Sequence, residues 1–288
     1  MVRLANNFKT AMLMGALIGL FLLVGSYYGG KSGLIIALVL GSLTNLIAFF
    51  FSDKIAVASM RGVEVFGDTP GAGGKLHHMV DELRQNAGLP MPRVYICPVQ
   101  APNAFATGRS PSKAAVAITE GALRLLSEEE VRGVMAHELA HVKNRDTLTS
   151  CVSAMIAGVL SYFAQFAMWG GGRREGGANP IMLIGVILAP IAAVLIQSMI
   201  SRSREFVADA DGAAIAGSPD GLISALQRLE MASQRVPMPT HNPAMNNMFI
   251  VEPFLGGIGK MFATHPPMEK RIAALTRLRA EMSGQVMA

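Results

Sequence analysis

The chain has 288 residues, of which 51% are hydrophobic and only 16% charged. A wholly soluble domain of this length would carry about 25% charged residues, so the composition argues against one and points to lipid contact for part of the chain. The net charge of +5 is small, and its Lys and Arg residues are scattered, which excludes nucleic acid as the expected partner.

In chain order, two uncharged apolar runs come first: AMLMGALIGLFLLVGSYY (11–28) and GLIIALVLGSLTNLIAFFF (33–51). At a rise of about 1.5 Å per residue, each matches the roughly 30 Å hydrocarbon core of a bilayer. The first run is longer than a signal-peptide core, lacks a small-x-small cleavage site and is followed closely by the second, so it reads as an uncleaved anchor. Residues 52–147 are polar, with balanced charge. Here GGKLHHMVDELRQNAGLP predicts a helix from 74 to 87 closed by Gly88. GAGGKL (71–76) is no phosphate loop, because Leu76 stands where Ser or Thr is needed. His77 and His78 read as a surface pair. RVYIC (93–97) is β-rich, and AFATG (104–108) with AAVAIT (114–119) flank the turn-like RSPSK as a hairpin. In SEEEVRGVMAHELAHVKNRD, Ser127 and Glu130 form a capping box, and three glutamates occupy the first turn, where the helix dipole favours them.

Two further apolar runs follow, LTSCVSAMIAGVLSYFAQFAMW (148–169) and PIMLIGVILAPIAAVLIQSMI (180–200), joined by the Gly-rich GGGRREGGANP. Residues 201–216 continue as a helix, LISALQRLEMASQ forms another, and 267–282 form a last amphipathic helix. The Met-rich stretch 236–260 reads as a long loop covering a cleft; His241 within it is not expected to bind metal. Cys97 and Cys151 form no CxxC pair and read as buried small apolar residues.

Lys and Arg near the span ends set the orientation. Arg3, Lys9, Lys54, Arg61, Lys143, Arg145, Arg202 and Arg204 place the N-terminus, 52–147 and 201–288 on the cytoplasmic side. Arg173 and Arg174 oppose this and are outnumbered. The expected organisation is two N-terminal transmembrane helices (1–51), a first catalytic part (52–147), two more apolar helices (148–200) and a second catalytic part (201–288).

The chemistry concentrates in HELAH. On a helix, His137 and His141 lie on one face, so one nitrogen of each can point at one metal ion. Glu138 projects about 100° away, near the ion without being forced onto it. It is placed to take a proton from an attacking water and pass it to a leaving amine. With 6 His among 288 residues, chance expects about 0.006 such motifs. Two histidines leave zinc one protein ligand short. The downstream candidates are Glu205, Asp209, Asp211, His241 and His265; Asp146 follows on the same helix and is expected to point elsewhere. Glu205 stands just past the fourth apolar run, as HELAH stands just before the third, so two adjacent antiparallel spans would bring them together. A plain salt bridge to Arg202 or Arg204 is the alternative for Glu205. Asp209, one turn on, can fix the tautomer of a ligand histidine.

HELAH, then REFVADADGA after a pair of apolar runs, with two apolar runs at the N-terminus, resembles the HtpX-type membrane zinc metalloproteases, bacterial relatives of the CAAX prenyl proteases. The resemblance covers essentially the whole chain and matches His137, Glu138, His141, Glu205 and Asp209. It implies a mostly α fold with a small antiparallel β-sheet, a gluzincin-like domain attached to about four transmembrane helices. It implies one zinc ion per chain, held by His137, His141 and Glu205, with Glu138 catalytic. It implies a multi-pass protein of the bacterial inner membrane that cuts misfolded or damaged membrane proteins in stress quality control, its catalytic domain facing the cytoplasm. NAFATG (103–108) is similar to the family's edge strand, where a substrate peptide could add through backbone bonds at Asn103, Ala104 and Phe105. THPPMEKRI (264–272) is similar to the family's His-Pro segment, which implies that His265 and Arg271 stabilise the oxyanion. Two other readings remain at this stage: a CAAX-type prenyl processing protease, and a non-catalytic membrane scaffold with a structural metal. The first expects more spans than this chain has, and the second leaves Glu138 without a task.

Overall fold

The computed structural model describes residues 53–147, 204–233 and 266–284, with scattered positions between 12 and 51. The expected apolar helices 148–169 and 180–200, the loop 236–260, Cys151, His241 and His265 lie outside the described residues, as does most of 11–28. Among the described residues, no helix is long and apolar enough to cross a membrane. The described positions between 30 and 51 are helical, and many of their large apolar side chains are exposed, Ile35 by 63% and Val39 by 59%.

A helical stretch over 53–59 leads into a four-stranded sheet: β1 (Val63–Val65), β2 (Arg93–Cys97), β3 (Ala104–Thr107) and β4 (Ala115–Thr119), in the order β1-β2-β4-β3. The hairpin expected across RSPSK is present, with Ala104 opposite Ile118 and Thr107 opposite Ala115. The sheet is mixed, however, and not antiparallel throughout. β4 pairs parallel with β2, Arg93 opposite Ala115 and Cys97 opposite Thr119. The cause lies in the AVAIT run: every residue of β4 is buried, so this strand takes the centre and leaves β3 at the edge. The short β1 pairs antiparallel with the other side of β2.

Alternation along the strands separates two cores. Val94, Ala104, Val116 and Ile118 face the helices. Tyr95, Cys97, Phe105, Ala115 and Ala117 face Ala56 and Val57 of the 53–59 stretch. Arg93 and Asp53 form an ion pair between that stretch and the sheet. Cys97 is fully buried, and desolvation pushes its thiol up to about 11, as an inert core residue requires.

On the helical side lie α1 (Ala72–Ala87), the short α2 (Glu120–Leu125), α3 (Glu128–Asn144), α4 (204–216), α5 (Asp220–Ser233) and α6 (Met268–Met282). In α1, Leu76, Val80, Leu83 and Ala87 form one buried stripe, and Gly88 closes the helix in the left-handed region at φ 66°. α3 is buried nearly all round, which marks it as the central helix. Its Ser127 accepts from the Glu130 amide, and Glu130 accepts from the Ser127 amide, completing the predicted box. The crossing of α3 with α5 is backbone on backbone: a Cβ at Gly133 would stand 2.4 Å from the Leu222 nitrogen.

Candidate metal centre and active site

α3 places His137 and His141 one above the other, and α4 brings Glu205 to them. The two Nε2 atoms are 3.1 Å apart. Glu205 reaches both, with Oε2 at 3.6 Å from His137 Nε2 and Oε1 at 3.5 Å from His141 Nε2. One ligand atom from each of the three lies within 4.8 Å of the others. α4 can come this close because Gly212 has no side chain; a Cβ there would stand 2.9 Å from the Cα of His137. Glu138, next along α3, is buried at 5% exposure.

Behind these groups stands a buried polar layer. Asp209 Oδ1 lies 3.0 Å from His137 Nδ1, at contact distance but without good hydrogen-bond alignment. Arg271, on the first turn of α6 and fully buried, donates from Nε and Nη2 to the two oxygens of Asp209 at 2.9 and 2.6 Å. Its Nη1 lies 3.2 Å from Glu205 Oε2. Arg271, read from the sequence as an oxyanion donor, is thus bound to the carboxylates that flank the histidines. Asp211, another downstream candidate, accepts from Asn144 at 2.6 Å.

Asp146 departs from expectation. α3 ends at Asn144, and Arg145 takes a left-handed conformation at φ 58°. The helix is interrupted there, and Asp146 Oδ2 sits 3.1 Å from His141 Nδ1. Continuing the helix through Asp146 would have pointed it away, and an arginine in the left-handed region is no ordinary stop signal. Arg204, the alternative partner expected for Glu205, donates from Nη1 to the Asp146 carbonyl at 3.3 Å. Asn103, Ala104 and Phe105 are all buried. Phe105 packs in the core on the sheet's far side, so any peptide contact there runs through the edge-strand backbone rather than this ring.

The electrostatics suit a cation. Burial alone would lower the His137 pKa, but the carboxylates of Asp209 and Glu205 outweigh it and raise it to about 10. Asp209 moves the other way: burial resists ionisation, and the Arg271 charge and hydrogen bonds pull its pKa below the usual carboxylate range. Arg271 is held up by the carboxylates against its own burial. With His137 neutral, as a metal ligand must be, the buried carboxylates of Glu138, Asp146, Glu205 and Asp209 stand against the buried arginines Arg204 and Arg271. Formally that leaves two negative charges, the complement of one divalent ion. With two imidazole nitrogens and a carboxylate as donors, the residues fit zinc.

The sequence profile of peptidase family M48 matches residues 70–279. The chain belongs to this family, and it is a metalloprotease. It is 48% identical to a protease HtpX homolog of Desulfatibacillum aliphaticivorans, over 98% of this chain and 92% of that protein. It is 50% identical to the one from Paraburkholderia phytofirmans, over 95% of this chain and 97% of that protein. The crystal structure of S. mikatae Ste24p shares the fold at a TM-score of 0.53 and 18% identity; the match covers 95% of this chain but only 66% of that one.

Proposed function

We propose that this chain is a membrane-anchored zinc endopeptidase of the HtpX type, acting on misfolded or damaged membrane proteins from the cytoplasmic face of a bacterial inner membrane. The observation that carries the catalytic part is the convergence of His137, His141 and Glu205 with Glu138 beside them. Four apolar segments (11–28, 33–51, 148–169 and 180–200) support the anchor, as do the exposed apolar side chains between 35 and 51.

His137, His141 and Glu205 would hold zinc, which when bound polarises the scissile carbonyl and acidifies a water. The rest falls to the chain's own residues. The Glu138 carboxylate takes a proton from the attacking water and returns it to the nitrogen of the leaving amine. The outer edge of β3 aligns an extended peptide through its backbone groups, beside the helix that carries Glu138. Asp209 sets its charge beside His137 Nδ1, and Arg271 holds Asp209 and Glu205 in place. The developing oxyanion falls to His265, with Arg271 adding its positive charge from behind.

The test is proteolysis of an unfolded protein by the purified full chain. Glu138→Gln should retain its zinc yet lose at least about 100-fold in rate. Undiminished cleavage by that variant would sink the mechanism. Glu205→Ala should lose the metal itself, and full retention would remove Glu205 from the site.

A further inference from the structure

Two imidazoles face the site, and each has a carboxylate at its other nitrogen and an arginine behind that carboxylate. For His137 these are Asp209 and Arg271. For His141 they are Asp146 and Arg204. Of the two imidazole contacts, His141 to Asp146 is the one with hydrogen-bond geometry.

We propose that Asp146, held by Arg204, is a positioning residue for the metal: it accepts from His141 Nδ1–H and so fixes the tautomer that presents Nε2. The proposal rests on the metal-site reading above. A neutral imidazole has two tautomers, and only the one with its proton on Nδ1 leaves Nε2 free to bind an ion. A carboxylate fixed at Nδ1 selects that tautomer and makes Nε2 more basic. Asp146 is 2% exposed, so water does not compete for its oxygens. Arg204 is itself 7% exposed, and its Nη1 sits 3.3 Å from the Asp146 carbonyl and 3.9 Å from Oδ1.

The pair has a second consequence. In the sequence, Asp146 stands just before the third apolar run and Arg204 just after the fourth. Arg204 also immediately precedes Glu205. The contacts of Arg204 with Asp146 therefore tie the second ligand to the third. The left-handed turn at Arg145 makes this possible by ending α3 at Asn144, two residues before Asp146.

The experiment is zinc affinity of the purified full chain, measured by competition with a chromogenic chelator. Asp146→Ala should weaken zinc binding by about 10–100-fold, with the melting midpoint of the metal-free protein near that of the parent. Asp146→Asn, which keeps an acceptor oxygen, should recover part of the loss. Arg204→Gln should lose less than Asp146→Ala, and the double variant should bind no more weakly than Asp146→Ala alone. Parental affinity in Asp146→Ala, or fully additive losses, overturns the proposal. If Asp146→Ala does not fold, the unaltered chain still decides the matter: with ¹⁵N-labelled histidine and zinc bound, His141 must show a protonated Nδ1 and a metal-bound Nε2. The reversed assignment overturns the proposal while leaving the metal site standing. A parent chain that binds no zinc at all removes the site and the proposal together.

Discussion

Burial should drive the proton off His137, and the surrounding carboxylates keep it on. With its pKa raised to about 10, the metal-free chain holds an imidazolium where the metal-loaded one needs a neutral ligand. The sign of the stability effect follows. The folded value lies above the unfolded one of about 6.5, so the ion pair contributes fully below about pH 6.5, and the contribution is lost as pH rises through about 10. Zinc replaces that proton, so loading at about pH 7.5 should release close to one proton per site. Calorimetry of zinc binding in two buffers of different ionisation enthalpy reads this directly. A heat that does not depend on the buffer would mean that His137 was already neutral.

Among the elements, the approach of α4 to α3 decides whether a third ligand exists. Gly212 meets the backbone of His137 with no room for a methyl group: a Cβ would stand 2.9 Å from Cα and 3.0 Å from the nitrogen. Gly212→Ala should push α4 outward by a few tenths of an ångström or more. The overpacking should cost about 1–3 kcal/mol of stability, and Glu205, on the same helix, should move with it. Metal affinity should therefore fall more in Gly212→Ala than in a variant equally destabilised at a distance, such as Leu229→Ala. Equal affinities in the two would show that α4 placement does not govern the site. The elements themselves were largely legible in the sequence. The helix over 74–87 closed by Gly88, the Ser127–Glu130 box and the HELAH spacing are local signals, and each appears as expected. What escaped was non-local or too short to read. Three residues of β1 carry little periodicity, and parallel pairing of β2 with β4 depends on which strand is buried on both sides. Asp146 was missed because one left-handed residue, Arg145, changed where the next side chain points.

For the whole molecule, the question is what covers the apolar surface. Ile35, Ile36, Val39, Leu43 and Leu46 are each at least half exposed, on helical positions that precede the ion pair of Asp53 with Arg93. Water is a poor neighbour for so many large exposed apolar side chains, and monomeric soluble proteins seldom tolerate a large patch of them. The guanidinium of Arg109 sits 4.7 Å from the Phe50 ring centre and so ties the β3–β4 hairpin to the end of that apolar helix. If 33–51 lies in a bilayer, the edge strand and the metal centre are held close to its surface by these contacts. The flanking basic residues would then favour the cytoplasmic side for the body, as proposed above. The chain should accordingly stay with the membrane pellet after alkaline carbonate washing, and a phosphatase that works only outside the cytoplasm should be silent when fused at Ala288. Release into the wash would remove the anchor. An active phosphatase would reverse the orientation and place Glu138 on the opposite face, where cytoplasmic segments of membrane proteins are out of its reach.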